Sequence, residues 1–193
     1  MNKLNIMIVG VGGQGSILAS KIIGNVGLIN SCDVKMAEVH GMAQRGGSVV
    51  TSIKLGEKVY SPLVETGEAD LILAFEQLEG LRSVEHLHPE GTMIVNSQQI
   101  DPMPVIIGNA EYPENILDKI KEKYDNIITL DALEMAKQAG SMKTVNTVVL
   151  GVMSTLVDFD KEDWIQSIKK YVPSEFVDIN LKAFEAGRSP GRD

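Results

Sequence analysis

Residues 4–9 form a short apolar run, interrupted only by Asn5 and closed by Gly10, the pattern of a buried strand. After the glycine-rich stretch 10–15, Ile17, Leu18, Ile22 and Val26 recur at helical spacing and predict a helix over 16–28. Residues 32–39 read as a second strand carrying Val34, Met36 and Val39, with poor alternation. Residues 48–55 alternate well, Val49, Thr51, Ile53 and Leu55 against Val50, Ser52 and Lys54, and predict a strand with one wetter face. Gly56, Glu57 and Lys58 make a turn, after which Val59 and Tyr60 are expected to return as a short partner strand. Such a hairpin makes the sheet mixed.

Residues 69–74 are strongly apolar and predict a strand, followed by a helix with Phe75, Leu78, Leu81 and Val84 on its apolar face. A strand is expected over 91–95; Pro102 and Pro104 exclude the connection 101–104 from a helix interior, and a brief strand is expected over 105–107. Pro113 and Glu114 open a helix bearing Ile116, Leu117 and Ile120. Residues 126–130 give the last strand, with Asp131 placed to cap a helix over 132–138 that Gly140 ends. From Asn146 onward the period is helical: Val149, Leu150, Met153 and Val157, then Trp164, Ile165 and Ile168 behind Asp160 as a cap, then Phe176, Ile179 and Ala183 behind Ser174 as a cap.

Strand, glycine turn and helix at the start, strands through two-thirds of the chain and helices after that define the expected class. It is α/β: a three-layer Rossmann-like open sheet, mostly parallel with a hairpin or antiparallel edge, and a helical C-terminal third. A chain of 193 residues is the size of one domain. Residues 1–186 are expected to form it, with 187–193 a flexible tail.

Charge narrows the partners. Lys and Arg number 18 against 26 Asp and Glu, a net charge of −8, which argues against nucleic acid. No apolar stretch reaches the length of a membrane span, and the N-terminal run is too short for a secretory signal, so no membrane partner is expected. The single cysteine, Cys32, allows no intrachain disulfide and no cysteine-held iron–sulfur or zinc site from this chain alone. It fits a reducing, cytoplasmic setting.

Two stretches carry candidate chemistry. Gly10, Gly12, Gly13 and Gly15 allow a tight turn and close backbone approach, and the following helix N-terminus offers amides to an anion. The spacing also matches a dinucleotide fingerprint, with Glu38 as a candidate ribose partner, although mere strand–helix packing accounts for the glycines equally. The second stretch, residues 38–47, sets His40, Gln44 and Arg45 beside flexible glycines at a strand's C-terminal edge. Arg45 suits a carboxylate or phosphate and His40 suits proton exchange, while a protein contact in which Met42 packs is the plainer reading. His86 and His88 read as an exposed helix end rather than a metal grip, and Glu76, Glu79, Glu85 and Glu90 as a solvated helix face. Asn146 precedes an almost wholly apolar helix containing Leu150 and Gly151, which implies central burial or a subunit interface.

Taken together, residues 6–15 and then Glu38-Val-His-Gly-Met-Ala-Gln-Arg-Gly-Gly-Ser48 resemble the small, gamma-type subunit of the 2-oxoacid:ferredoxin oxidoreductases, and among them the beta subunit of the indolepyruvate type. The stretches 69–76, 131–132 and 146–151 fall in the order this family shows. The resemblance implies an α/β subunit without its own cofactor, bound to a large catalytic alpha subunit that holds thiamine diphosphate and iron–sulfur clusters. The complex would convert an aryl-2-oxoacid and coenzyme A to an aryl-acetyl-coenzyme A and carbon dioxide, reducing ferredoxin. His40, Gln44 and Arg45 would then lie on the substrate path or at the partner. The glycines at 10, 12, 13 and 15 would form an anion or partner-contact turn. Met42, Gly46, Gly47, Asn146, Leu150 and Gly151 would serve the interface. No metal is expected in this chain. A stand-alone dinucleotide-binding oxidoreductase and a purely structural interaction domain are the alternatives.

Overall fold

A computed structural model describes residues 3–41 and 47–189. Six strands form one sheet: β1 (Leu4–Val11), β2 (Asp33–His40), β3 (Ser48–Gly56), β4 (Ala69–Ala74), β5 (Leu87–Asn96) and β6 (Ile127–Leu130). Their spatial order is β2-β3-β1-β4-β5-β6. β1, β4, β5 and β6 run parallel, whereas β3 lies antiparallel between β1 and β2. The mixed sheet is therefore as expected, but the hairpin joins β2 to β3; Val59 and Tyr60 form no strand. Val59 instead donates its backbone N–H to Asp33 Oδ2 at 2.9 Å and buries its side chain.

Alternation divides the sheet into two apolar faces. Ile6, Ile8, Ile53, Leu55, Leu71, Leu73 and Ile94 meet one helical layer. That layer holds α1 (Ser16–Ile29) and, after β6, α5 (Ala132–Ala139), α6 (Val145–Met153), α7 (Lys161–Tyr171) and α8 (Val177–Arg188). Met7, Val9, Ile72, Ala74, Met93 and Val95 meet the opposite layer, to which α2 (Gln77–Ser83) and α4 (Ile116–Lys121) contribute Leu78, Ile116 and Ile120. The result is the three-layer α/β arrangement with a helical C-terminal third.

Local chemistry sets most boundaries. Asp131 Oδ1 accepts from the Glu134 amide at 2.8 Å and starts α5, and Gly140 at φ 117° ends it. Residues 105–107 do not make a strand: Met103–Ile106 is a single helical turn, α3, which tolerates Pro102 and Pro104 because they sit at its start, where amides lack intrahelical acceptors anyway. Asp160 occupies the N-cap of α7 without a side-chain cap bond. Ser174, by contrast, is no cap: it lies inside a 3-10 turn (Ser174–Phe176) ahead of α8, and Phe176 is exposed.

α6 is buried along its entire length, packed among its neighbours and the sheet. Its apolarity is thus spent inside the chain. Leu150 and Gly151 are interior residues, not partner-facing ones, because α8 lies directly across them. Gly187 and Arg188, placed by the sequence reading in a tail, are the last turn of α8: Gly187 packs on Val148, and Arg188 Nη1 donates to Ser154 Oγ at 2.6 Å.

Candidate functional site

The C-terminal ends of the parallel strands gather at one edge, where open α/β sheets hold ligands. The glycine turn leaves β1 there. Gln14 folds back beneath it: Oε1 accepts from the Val11 amide at 2.8 Å and Nε2 donates to the Phe75 carbonyl at 3.0 Å. A Cβ at Gly10 would stand 2.8 Å from that Gln14 oxygen and 3.2 Å from Phe75 Cβ, so a side chain there would displace Gln14. Gly15 takes φ +84° and would meet Asn146 Nδ2 at 2.6 Å if it carried a Cβ. Asn146 instead donates from Nδ2 to the Gly15 carbonyl at 3.2 Å, tying α6 to the start of α1.

The two sequence motifs come together. The Gly12 amide donates to the Gly47 carbonyl at 2.9 Å, and the Gly41 amide to the Ser48 carbonyl at 2.8 Å. One motif thus closes onto the other through backbone alone. On the α1 side of β2, Glu38 accepts from Thr51 Oγ1 at 2.8 Å and Ser16 Oγ at 3.3 Å, and its other oxygen lies 3.0 Å from His40 Nε2. Met42, Gln44, Arg45 and Gly46 lie outside the described residues.

A cleft of about 570 Å³ opens beside the turn, lined by Gly13, Gln14, Gly15, Leu18, Gln98, Leu133, Met142, Lys143, Val145 and Asn146. Gly15 caps α1 without a side-chain cap bond, and no acidic residue stands in the helix's first turn. The start of α1 and Lys143 both border this largely apolar cleft. Lys143 and Gln98 were not singled out from sequence; Lys143 precedes Asn146 closely enough to have been, whereas Gln98 enters only because β5 adjoins β4.

The acidic stretch is not a solvated face. Glu85 and Glu90 are exposed, but Glu76 and Glu79 are 1% and 4% exposed. Glu76 caps α2 by accepting from the Glu79 amide at 2.9 Å, and it also accepts from the Ile100 amide and the Tyr112 hydroxyl. Burial, reinforced by Glu76, pushes the Tyr112 hydroxyl well above its ordinary pKa. Among the described residues no three His, Cys, Asp or Glu side chains are grouped to hold a metal ion. Cys32 and the surrounding chain offer no donor set for an iron–sulfur cluster.

Two features set this site apart from an ordinary dinucleotide site. The strand following α1 is not β1's neighbour, since β3 intervenes, and the Glu38 carboxylate is already engaged by three protein groups.

Residues 5–189 match the family described as pyruvate ferredoxin/flavodoxin oxidoreductase. The chain belongs to that family. Within it, the chain is 39% identical over 187 residues to the indolepyruvate oxidoreductase subunit IorB of Methanothermobacter thermautotrophicus, covering 95% of each. The family fold is shared with the gamma subunit of a keto/oxoacid ferredoxin oxidoreductase from Geobacter sulfurreducens, at TM-score 0.71, 24% identity and 95% coverage of both chains. It also aligns, at TM-score 0.74 and 19% identity, with 31% of a 2-oxoglutarate:ferredoxin oxidoreductase chain from Magnetococcus marinus, whose structure holds 2-oxoglutarate, coenzyme A and succinyl-CoA; 98% of the present chain is covered. The chain is therefore a small subunit type of the 2-oxoacid ferredoxin oxidoreductases. None of the helices among the described residues is long and apolar enough to cross a membrane.

Proposed function

We propose that this chain is the small subunit of an enzyme that oxidatively decarboxylates indolepyruvate or a related aryl-2-oxoacid with coenzyme A, passing electrons to ferredoxin. A large alpha subunit would supply thiamine diphosphate and the iron–sulfur clusters; with a single cysteine, this chain cannot build a cysteine-held cluster by itself. This chain would complete the substrate path from its C-terminal sheet edge. Arg45 would hold a carboxylate or phosphate bidentately, and His40, oriented by Glu38, would donate or accept a hydrogen bond beside it. Gln44 would share that contact, and the turn of Gly10, Gly12, Gly13 and Gly15 would support the loop from beneath. Met42, Gly46, Gly47 and Asn146 would meet the partner or the bound substrate.

The observation that carries the reading is the bond from the Gly12 amide to the Gly47 carbonyl, which joins the two family motifs into one surface. Identity to a curated indolepyruvate oxidoreductase subunit over nearly the whole chain supports the aryl-2-oxoacid. The test is co-expression with the large subunit encoded in the same genome. Purified complexes carrying wild-type chain, Arg45→Ala or His40→Ala are assayed for indolepyruvate- and coenzyme A-dependent reduction of ferredoxin. Arg45→Ala is expected to keep the melting temperature of the isolated chain and to lower complex turnover at least about tenfold, the scale of one charge-assisted contact. Full turnover in both variants would reduce the chain to a structural partner.

A further inference from the structure

We propose that Glu79 is a positioning residue, which sets the junction of the two motifs from the face of the sheet opposite Glu38. The inference rests on the reading that this junction serves the oxidoreductase. Glu79 sits on α2, is 4% exposed, and shares no sequence motif with the site. Its Oε2 accepts from Ser48 Oγ at 2.5 Å, and its Oε1 accepts from Arg82 Nη1 at 2.6 Å.

Ser48 is the first residue of β3. Its own carbonyl accepts from the Gly41 amide at 2.8 Å, and the carbonyl of the preceding residue, Gly47, accepts from the Gly12 amide at 2.9 Å. A shift of Ser48 therefore moves both backbone bonds that close the motifs onto each other. A carboxylate removed from water gives a strong, directional bond to a hydroxyl, and Arg82, itself half exposed, compensates the buried charge. Glu79 is in turn fixed in the first turn of α2, where its amide donates to Glu76 Oε2. The sheet separates the two carboxylates: Glu38 orients His40 from the α1 side, and Glu79 holds Ser48 from the α2 side. Both stems of the segment between Gly41 and Gly47 are thereby anchored to helices in different layers.

A capping role for Glu76 accounts for the start of α2 without Glu79's side chain. The long-range contact of the Glu79 carboxylate to Ser48 is thus not needed to make the helix. It acts on the site.

The experiment uses Ser48→Ala, Glu79→Ala, Glu79→Gln and the Ser48→Ala/Glu79→Ala double variant, each in the assembled complex and as the isolated full chain. Glu79→Ala and Ser48→Ala are expected to lower kcat/KM of the complex about tenfold, with the double variant no worse than the weaker single one. Glu79→Gln keeps an oxygen that accepts from Ser48 and is expected to restore at least half of the activity. In the isolated chain, amide exchange at Gly12 and Gly41 is expected to quicken at least about tenfold in Ser48→Ala, while Leu73 and Ile94 in the central strands stay protected. If Glu79→Ala fails to fold, Ser48→Ala still decides, because it removes one exchangeable hydroxyl and leaves the carboxylate paired with Arg82. Unchanged exchange at Gly12 and Gly41, or full activity of Ser48→Ala, overturns the inference. In the second case, an impaired His40→Ala complex shows that only the Glu79 link is wrong, and a fully active one shows that the functional reading itself has failed.

Discussion

Gly151 of α6 and Gly187 of α8 meet backbone to backbone. A Cβ on Gly187 would lie 3.0 Å from Gly151 Cα and 2.0 Å from the Val148 carbonyl oxygen, and a Cβ on Gly151 would lie 2.2 Å from the Phe184 carbonyl oxygen. No side-chain rotation relieves a clash with backbone, so the helices must separate to admit even a methyl group. Gly151→Ala is therefore expected to cost about 3 kcal/mol and to lower the melting temperature by roughly 6–12 °C. Trp164, the sole tryptophan and fully buried against Phe184, reports the transition by fluorescence. A melting temperature within about 2 °C of wild type would show that α6 and α8 do not cross this closely.

Gln14 holds the glycine turn through one donor and one acceptor, to the Phe75 carbonyl and from the Val11 amide. Gln14→Ala is expected to destabilise the chain by about 2 kcal/mol, the net value of two such bonds. Gln14→Glu should be at least as costly, because a carboxylate oxygen would then face the Phe75 carbonyl. Urea titration of the isolated chain distinguishes the two variants from wild type, and equal midpoints for all three would remove Gln14 from the support of the turn.

Acid should release a specific ion pair. The Lys54 ammonium, 2.7 Å away, and the Glu65 amide hold the Glu68 carboxyl below its ordinary value of 4.5. A depressed carboxyl stabilises the fold in its charged form. That contribution is present above the ordinary carboxylate range and is lost as pH falls through the lowered folded-state value. Glu68→Gln is expected to be less stable than wild type at pH 6 and to lose less stability between pH 5 and pH 3. Urea midpoints measured across that window test it, and parallel curves would assign the acid sensitivity elsewhere.

Burial pushes the Cys32 thiol above its ordinary value. Less thiolate and 7% exposure together slow attack on an electrophile. Iodoacetamide at pH 8 is expected to label the folded chain at least about tenfold more slowly than the chain in denaturant. Equal rates would place Cys32 at the surface.

Legibility in the sequence followed the range of the forces involved. The strands at 4–9, 48–55, 69–74 and 126–130 were readable because each carries its apolar pattern locally. The Asp131 cap and the Gly140 stop were readable because cap chemistry lies within one turn of its helix. Residues 105–107 misled because a β-rich composition next to two prolines describes a strand and a first helical turn equally well. Leu150 and Gly151 misled because a helix buried by its own chain and one buried by a partner have the same composition. Glu79 was missed because charge on an amphipathic segment is ordinarily solvated, and its partner Ser48 lies 31 residues away.

By itself the sequence determined the α/β class, the glycine turn between β1 and α1, and the two motifs that mark the oxidoreductase family, all through patterns confined to a few neighbouring residues. Tertiary structure alone decided that β3 inserts antiparallel between β1 and β2, because edge and central strands differ in their neighbours more than in their residues. It also decided that the Gly12 amide meets the Gly47 carbonyl, and that Glu38 and Glu79 grip the stems of one segment from opposite faces of the sheet. Hydrogen bonds across such separations depend on how layers pack, and packing sums contacts over the whole chain.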